Sequence, residues 1–287
     1  MYRILSLLFI CQLISLNSGC QTKLTANLAN AVSINYNNNL VGSGLIYEKD
    51  SLIYLITAAH VIFQVDTLDN ITDNIRFDKI QIVSYSSNDY NVKKSVFEIK
   101  LHGNNSLKRH KRKDVCILKI GKIQKVISKI SNYVYTHENV RIIESNGIVN
   151  AFNNDLITKF EHIEQGRDVR VIGYPKHLDF VKRNGLRLYE FEYPLLQSGV
   201  ISGVSKSLGN IIVNAPIFYG NSGGAVLYKT EGVKSKNGKS IFYETYTLIG
   251  IATDFIPFIL NINDRVDISN SGYSVVVPIH FAIEMLD

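Results

Sequence analysis

Short stretches of alternating apolar and polar residues dominate the chain from about residue 28 onward, and they limit the folds it can adopt. Examples are "AVSINYN" from Ala31, "DVCILKI" from Asp114 and "YSVVVPI" from Tyr273. They are rich in β-branched and aromatic residues and are bounded by turn-forming residues, which is typical of strands. Helical patterns are scarce: "AAHVIFQ" predicts one turn and "HFAIEML" predicts a terminal helix. The pattern therefore favours an all-β barrel or sandwich over βαβ units.

The length of 287 residues is enough for two compact units, and the 46% apolar content is enough for real cores. No linker rich in Pro, Gly or Ser divides the chain. The least strand-like segment runs from about residue 122 to 165, where charged residues and Asn are frequent. We therefore expect a first β unit over residues 28–130, a connection over 131–165 and a second β unit over 166–287.

The net charge is +6, which is compatible with an anionic partner. The positive residues are largely scattered, however, and no nucleic-acid motif stands out, so we expect no nucleic-acid partner. The one dense basic run is "KRHKRKD" from Lys108. It is compatible with a polyanion patch, but an exposed hairpin loop is favoured.

The N-terminus, "MYRILSLLFICQLISLNSGCQTK", carries Arg3 and then an apolar run of about 13 residues. That run is shorter than the roughly 20 residues that a spanning helix needs, and it suits the core of a signal peptide. Residues 1–20 resemble a bacterial lipoprotein signal in which Cys20 is lipidated. Gly19 fits this pattern, whereas Asn17 stands where Leu is usual. An ordinary secretory signal, an uncleaved anchor and a buried N-terminal element remain the alternatives.

The cysteines and histidines predict no disulfide framework and no metal site. Cys11 and Cys20 lie in the signal-like segment, which leaves only Cys116 in the body of the chain. Cys116 alternates into a predicted strand and is expected to be a small buried apolar residue. The histidines other than His60 show no ligand spacing with Cys or acidic residues, so no cofactor or metal is expected.

Three motifs carry the chemistry when they are read together. "LITAAHV" places His60 after an apolar strand, "DVCILKI" places Asp114 at the start of another, and "YGNSGGAVLY" places Ser222 in a glycine-rich turn. Each is unremarkable alone, because such glycine clusters are usually turns and a lone His or Asp is usually structural. The order His, Asp, Ser is that of the chymotrypsin arrangement, not of the subtilisin or α/β-hydrolase arrangements.

With these motifs in order, the sequence resembles trypsin/chymotrypsin-fold serine peptidases, in particular bacterial trypsin-like and HtrA-type peptidase domains. "TAAH", "DVCILK" and "GNSGG" match the family's His, Asp and Ser motifs. Weaker matches are "GSG" at residues 42–44, "VIGYP", "SGVISG", "LIGIAT" and "VVPIHFAIEML". The resemblance runs from about residue 30 to the C-terminus, and it implies two six-stranded antiparallel β-barrels followed by a short C-terminal helix.

The resemblance also implies a role for each motif residue. His60 is the general base, Asp114 orients it, and Ser222 is the nucleophile that forms an acyl-enzyme. The N–H groups of Gly220 and Ser222 are the expected oxyanion donors. Substrate contacts are expected at Pro216, Thr253 and Phe255. Pro216, six residues before the serine, disfavours a preference for Lys or Arg, and Phe255 suits small or modest apolar side chains.

Activation by a freed N-terminus is not expected. In zymogen-type relatives the new terminus pairs with an Asp just before the serine, and here that position is the uncharged Asn221. HtrA-type relatives usually add a PDZ domain, and none is expected here, because the sequence stops at Asp287 just after the predicted helix.

The sequence thus predicts a serine endopeptidase that acts on protein or peptide substrates. We expect it to be exported to a bacterial cell envelope and lipid-anchored to the membrane, with a secreted or periplasmic form as the alternative location. The alternative function is a catalytically silent lipoprotein of the same fold that serves as a binding or scaffolding module. The sequence does not determine the oligomeric state.

Overall fold

A computed structural model of the chain describes residues 30–86, 93–122, 137–145, 151–176, 182–183, 186–187, 193–236, 239–262 and 265–286. The signal-like residues 1–20, with Cys20, lie outside these ranges. No helix among the described residues has the length and apolar character needed to cross a bilayer.

Among the described residues, ten strands and one helix precede residue 146. The strands are β1 (Ala31–Tyr36), β2 (Asn39–Lys49), β3 (Leu52–Thr57), β4 (Phe63–Val65), β5 (Ile71–Ile75), β6 (Lys79–Ser86), β7 (Lys93–Lys100), β8 (Lys108–Arg109), β9 (Cys116–Lys122) and β10 (Val140–Ser145). The helix α1 is the single turn Ala59–Ile62 between β3 and β4.

In the described part of the second half there are eight strands and a short helix. The strands are β11 (Asp168–Gly173), β12 (Lys182–Arg183), β13 (Leu186–Arg187), β14 (Leu195–Ser205), β15 (Asn210–Asn214), β16 (Ala225–Lys236), β17 (Lys239–Ile262) and β18 (Arg265–Pro278). The helix α2 is His280–Ile283, and two 3-10 turns, Asn154–Leu156 and Phe160–His162, precede β11.

These strands form two β units, as predicted. The first is an eight-stranded sheet in the order β10-β7-β6-β1-β2-β3-β9-β8. The second is a closed barrel in the order β11-β14-β15-β18-β17-β16. The expected six strands are thus found in the second unit, whereas the first has eight because the short β8 and β10 pair at its two edges. β10 lies within the stretch expected to be a connection, and it pairs with β7 of the first sheet.

Tight turns fix the register of the first sheet. β1 and β2 are joined by Asn37 and Asn38, and β2 and β3 by Asp50 and Ser51, with register pairs directly on either side of each turn. All four turn residues have positive φ, between 49° and 66°. Two consecutive positive-φ residues match the twist of antiparallel strands, and Asn and Asp tolerate this conformation better than most residues.

The basic run from Lys108 forms a hairpin, as predicted. Lys108 and Arg109 make up β8, which pairs with the first two residues of β9. Cys116, the first residue of β9, is buried with its thiol free, also as predicted, and this burial raises the pKa of the thiol.

The two units share an apolar core. Its largest cluster of buried residues includes Leu55 and Ile117 of the first sheet together with Leu227, Leu248 and Ile251 of the barrel. Burial of each such side chain contributes roughly 1.5–3 kcal/mol. A second cluster, including Val171, Val213 and Ile249, fills the barrel itself. The joint core holds the segments that follow β3, precede β9 and precede β16 in fixed positions relative to one another.

Candidate active site

His60 and Asp114 are joined by two hydrogen bonds. The His60 ring donates from Nδ1 to Asp114 Oδ2 at 2.6 Å, and the His60 backbone N–H donates to Asp114 Oδ1 at 2.9 Å. The side chains are only 29% and 23% exposed. A neutral imidazole that donates from Nδ1 keeps its lone pair on Nε2. The carboxylate thus sets both the orientation and the tautomer of the ring.

Lys113 anchors the segment that carries Asp114 to the second unit. Its ammonium donates to the carbonyl oxygen of Leu208 and, at 2.7 Å, to Asn210 Oδ1. It also lies 5.1 Å from the centroid of the Phe281 ring on α2. Burial, followed by the nearby Arg112, lowers the pKa of Lys113. These contacts connect Asp114 to the β14–β15 turn and to the C-terminal helix.

Ser222 lies on a tight turn that requires glycine on both sides. Gly220 has φ +95° and Gly223 has φ +87°. A Cβ at Gly220 would lie 2.3 Å from the Tyr174 carbonyl oxygen, and one at Gly223 would lie 2.1 Å from that of Ser43. Both the backbone conformation and the close approach therefore exclude a side chain at these positions.

The N–H groups of Gly220 and Ser222 are available for a ligand. Within the described ranges, neither of them donates a hydrogen bond to another protein group. Asn221, between them, donates its own N–H to the Phe218 carbonyl oxygen at 2.9 Å. Two such N–H groups beside a nucleophile are the usual donors to an oxyanion.

The Ser222 hydroxyl donates to the Thr253 carbonyl oxygen at 3.1 Å. Among the described residues it makes no hydrogen bond to His60, although both side chains line the same cleft. Nucleophile–base hydrogen bonds are often long or misaligned in ligand-free sites. A change of the Ser222 χ1 rotamer moves the hydroxyl away from Thr253 and requires no movement of the backbone.

Ser43 supports this turn, and the sequence motifs did not reveal its role. Its buried hydroxyl donates to the Gly220 carbonyl oxygen at 2.6 Å and accepts the Tyr174 N–H at 2.8 Å. Its backbone N–H donates to the Ser222 carbonyl oxygen at 2.8 Å. The "GSG" motif at residues 42–44 was the available signal, but only the folded chain brings it next to residues 220–222.

Asn221 is buried and carries no charge. Its Oδ1 accepts no hydrogen bond within the described part of the chain. That atom lies close to Gly173, where an added Cβ would be only 3.0 Å from it. The Ser222 turn is thus held by backbone hydrogen bonds and Ser43, with no ion pair at Asn221.

A cleft of about 790 Å³ contains His60, Asp114, Gly220 and Ser222. Its walls also include Thr253 and Phe255, two of the three residues predicted to contact substrate. The apolar part of the wall includes Leu40, Val41, Ile217, Phe218, Phe255, Val275 and Val277. Arg76, Arg112, Lys113 and Lys176 line its margins.

The third predicted contact, Pro216, is exposed and is not part of the cleft wall. Burial alternates along Ala215, Pro216 and Ile217, so the chain turns Pro216 outward and places Ile217 in the cleft instead. Among the described residues, no group of three or more His, Cys, Asp or Glu side chains is arranged to hold a metal ion.

Comparison with known proteins identifies the family. The family model of the trypsin-like peptidase domain matches residues 42–233, and the chain belongs to this family. A search of curated proteins gave no match.

Solved structures with a similar fold include a serine endoprotease from Yersinia pestis, at 18% identity and a TM-score of 0.46. That match covers 91% of this chain and 64% of the other protein, so this chain spans less than two thirds of its length. Human heparin binding protein is similar at 13% identity and a TM-score of 0.47, covering 90% of this chain and 89% of that one. Mouse neuropsin, a serine protease, has 12% identity and a TM-score of 0.45, with 89% and 91% covered.

Proposed function

We propose that the protein is a serine endopeptidase that hydrolyses peptide bonds through an acyl-enzyme on Ser222. One arrangement carries this proposal. The hydrogen-bonded pair of His60 and Asp114 lies in the same cleft as Ser222. Beside Ser222, the backbone N–H groups of Gly220 and Ser222 donate to no described protein group. Family membership supports the reaction class, and this arrangement supports the residue roles.

The proposed first step is attack on the peptide carbonyl carbon. The Ser222 hydroxyl rotates from Thr253 toward His60 Nε2, which takes its proton as the Oγ–C bond forms. The carbonyl oxygen becomes an oxyanion that accepts from the N–H groups of Gly220 and Ser222. Losing one such donor typically costs about 2.7–4 kcal/mol of transition-state stabilisation.

The second half of the reaction returns the proton. Protonated His60 donates it to the leaving amine as the C–N bond breaks, which leaves the acyl group on Ser222. Water then attacks the ester, His60 takes a proton from the water, and the second tetrahedral intermediate releases the acid product and restores the Ser222 hydroxyl. Asp114 stabilises the imidazolium in both halves through its bond to Nδ1.

We propose that the site forms without N-terminal cleavage. The uncharged Asn221 has no need of a cationic partner, and the turn around Ser222 is held by Ser43 from the first sheet. The hydrogen bonds that hold this turn thus come from within residues 43–252.

A peptide-library digestion tests the proposed function. The wild-type protein should generate new peptide termini, and Ser222→Ala should generate none. Folded wild-type protein that binds library peptides but yields no new termini would support the alternative, a catalytically silent binding or scaffolding module.

Ser43→Ala is expected to lower kcat about 10-fold and leave KM nearly unchanged, because the Gly220 carbonyl and the Tyr174 N–H lose their shared partner. Unpaired buried groups should also lower the free energy of unfolding by about 1–3 kcal/mol. Steady-state kinetics and urea unfolding measure the two effects.

Ser33→Ala is the matched control, because Ser33 is also buried and lies directly opposite Ser43 in the β1–β2 ladder. Among the described residues, its hydroxyl accepts a hydrogen bond only from Asn35 Nδ2. It should leave kcat unchanged. Equal loss of kcat in both variants would show that Ser43 has no specific role in the turn.

For location, we propose export to a bacterial cell envelope and lipidation of Cys20. The support is the sequence pattern alone: Arg3, the short apolar run, and Gly19 before the cysteine. Mass spectrometry of the mature protein should find a chain beginning at a lipidated Cys20, whereas an unmodified Met1 would contradict both export processing and lipidation.

A further inference from the structure

The hairpin formed by β17 and β18 extends well beyond the barrel. At Gly250 and Ile251, β17 pairs with β16 on one edge and with β18 on the other. From Asp254 to Ile262, β18 is its only strand partner among the described residues. We call residues 254–262 and 265–270 the β17–β18 arm. The edge of β17 opposite β18 is thus open along about nine residues, roughly 30 Å of strand.

This arm exposes large apolar side chains on both faces. Six of them are between 36% and 64% exposed: Ile256, Phe258, Ile259, Leu260, Val266 and Ile268. Ile259 and Ile268 are direct cross-strand partners, whereas Phe258 lies opposite Ser269 on the other face. Exposed apolar side chains that are grouped in this way mark an interaction site more often than isolated exposed residues do.

The arm is continuous with the active-site cleft. Thr253, Asp254 and Phe255 line the cleft beside Ser222, and the Thr253 carbonyl accepts the Ser222 hydroxyl. The Phe255 ring lies edge-on to that of Tyr219, with centroids 6.3 Å apart. A polypeptide lying in the cleft along these residues therefore continues directly onto the open edge of the arm.

We propose that the β17–β18 arm is a second contact site for the substrate, which binds an extended apolar segment of the polypeptide whose bond is cleaved at Ser222. This inference rests on the proposed peptidase function. Pro257 removes one N–H, and register shifts lie just before it, between Ala252 and Asp254 and between Phe255 and Pro257, so the backbone ladder is irregular at the start of the arm. The contact is therefore made mainly by side chains, with strand pairing adding to it where the edge is regular.

The charge of the arm favours a polypeptide over a lipid surface. The residues of the arm include two aspartates and one arginine, a net charge of −1. Anionic membrane surfaces attract clusters of Lys and Arg, which this arm lacks. An apolar segment interspersed with basic residues complements it in both respects.

The test compares short and extended peptides with a common cleaved core. The core is an eight-residue peptide selected by library digestion. It is extended at either its amino or its carboxyl end by four Leu-Lys repeats. The control peptides carry four Gly-Ser repeats at the same end. For the wild-type protein, the Leu-Lys extension at one end should raise kcat/KM about 10-fold over the short peptide. The Gly-Ser extension should give no gain.

The arm variant is Phe258→Thr/Ile259→Thr/Ile268→Thr, in which threonine retains β-propensity. It should lose the gain from the Leu-Lys extension and cleave the short peptide at the wild-type rate. The matched control is Val233→Thr/Ile241→Thr/Phe242→Thr, on the hairpin at the other end of β17, where these side chains are 41–80% exposed. It should keep the gain.

Three results would overturn the inference. The first is that neither Leu-Lys extension raises kcat/KM for the wild-type protein. The second is that the arm variant loses kcat/KM equally with short and extended peptides, and the third is that the control variant loses the gain as fully as the arm variant does. If the arm variant keeps the wild-type peptide kinetics but no longer sediments with anionic vesicles, the arm binds a membrane. If it keeps those kinetics but is a monomer where the wild-type protein is a dimer, the arm binds a second copy of this chain.

The peptidase proposal fails separately if the wild-type protein cleaves no peptide of the library. In that case fluorescence anisotropy tests the arm without turnover, using labelled Leu-Lys and Gly-Ser repeat peptides and the Ser222→Ala protein with and without the arm substitutions. Tighter binding of the Leu-Lys peptide that depends on the arm supports the inference, and equal binding overturns it.

Discussion

Ser222→Ala is expected to lower kcat by roughly 10⁶-fold and leave KM nearly unchanged, because the nucleophile that would form the acyl-enzyme is lost. The fold should be retained. The hydroxyl makes one hydrogen bond, to the Thr253 carbonyl, so its removal should change the free energy of unfolding by about 1 kcal/mol. Steady-state kinetics at protein concentrations fixed by absorbance, and urea unfolding, measure the two quantities.

A double variant makes this prediction specific. If Ser222 and His60 act as a unit, His60→Ala alone should cost nearly as much as Ser222→Ala, and the Ser222→Ala/His60→Ala protein should be no slower than either. Additive losses, or a Ser222→Ala protein with near wild-type turnover, would contradict the proposed nucleophile–base pair.

Asp114→Asn is expected to lower kcat by about 10⁴-fold. Asp114 accepts two hydrogen bonds, from the His60 ring and from the His60 backbone N–H. An amide has only one acceptor oxygen, so its NH₂ group faces one of these donors. The ring then favours the tautomer protonated at Nε2, which has no lone pair for the Ser222 proton.

Asp69→Asn is the matched control for the loss of a cleft carboxylate. Asp69 lines the same cleft and has φ +60°, a conformation that Asn also adopts readily. Its rate should stay within about 2-fold of wild type, since surface charge changes are usually worth little. If Asp69→Asn lowered kcat as much as Asp114→Asn does, the effect would come from the charge of the cleft and not from the orientation of His60.

The β character of the fold was predictable because the relevant signals are local. Alternating apolar residues, short spacing and Asn- and Asp-containing turns such as Asn37–Asn38 act within a few residues. The one-turn helix at His60 and the terminal helix α2 followed from equally local patterns. The two extra strands of the first sheet were harder to predict, because β8 has only two residues and β10 lies in a charge-rich stretch with little apolar signal.

The motif residues of the site were predictable, and its supporting contacts were not. His60, Asp114 and Ser222 each stand in a recognisable short motif, and the fold brings all three into one cleft. Ser43 acts on a turn more than 170 residues away in sequence, and no local pattern reports such a contact. A substrate contact at Pro216 stays a prediction; the structure places Ile217, not Pro216, in the cleft wall, and such alternation along an irregular segment is not visible in the sequence.

The exposure of the β17–β18 arm could not be predicted from the sequence. Its sequence, "FIPFILNI", is indistinguishable from a buried strand by composition, because apolar runs of this length are usual in cores. Only the pairing, in which β17 continues beyond the last residue it shares with β16, reveals that these side chains are exposed. Burial depends on what the rest of the chain covers, which the run itself does not encode.

Covalent labelling with a fluorophosphonate probe measures directly whether Ser222 is an activated nucleophile. Wild-type protein should acquire one adduct, mapped by tandem mass spectrometry to Ser222. Ser222→Ala should remain unlabelled, and His60→Ala should label far more slowly. Folded wild-type protein that stays unlabelled, or that carries the adduct on another residue, would contradict the account.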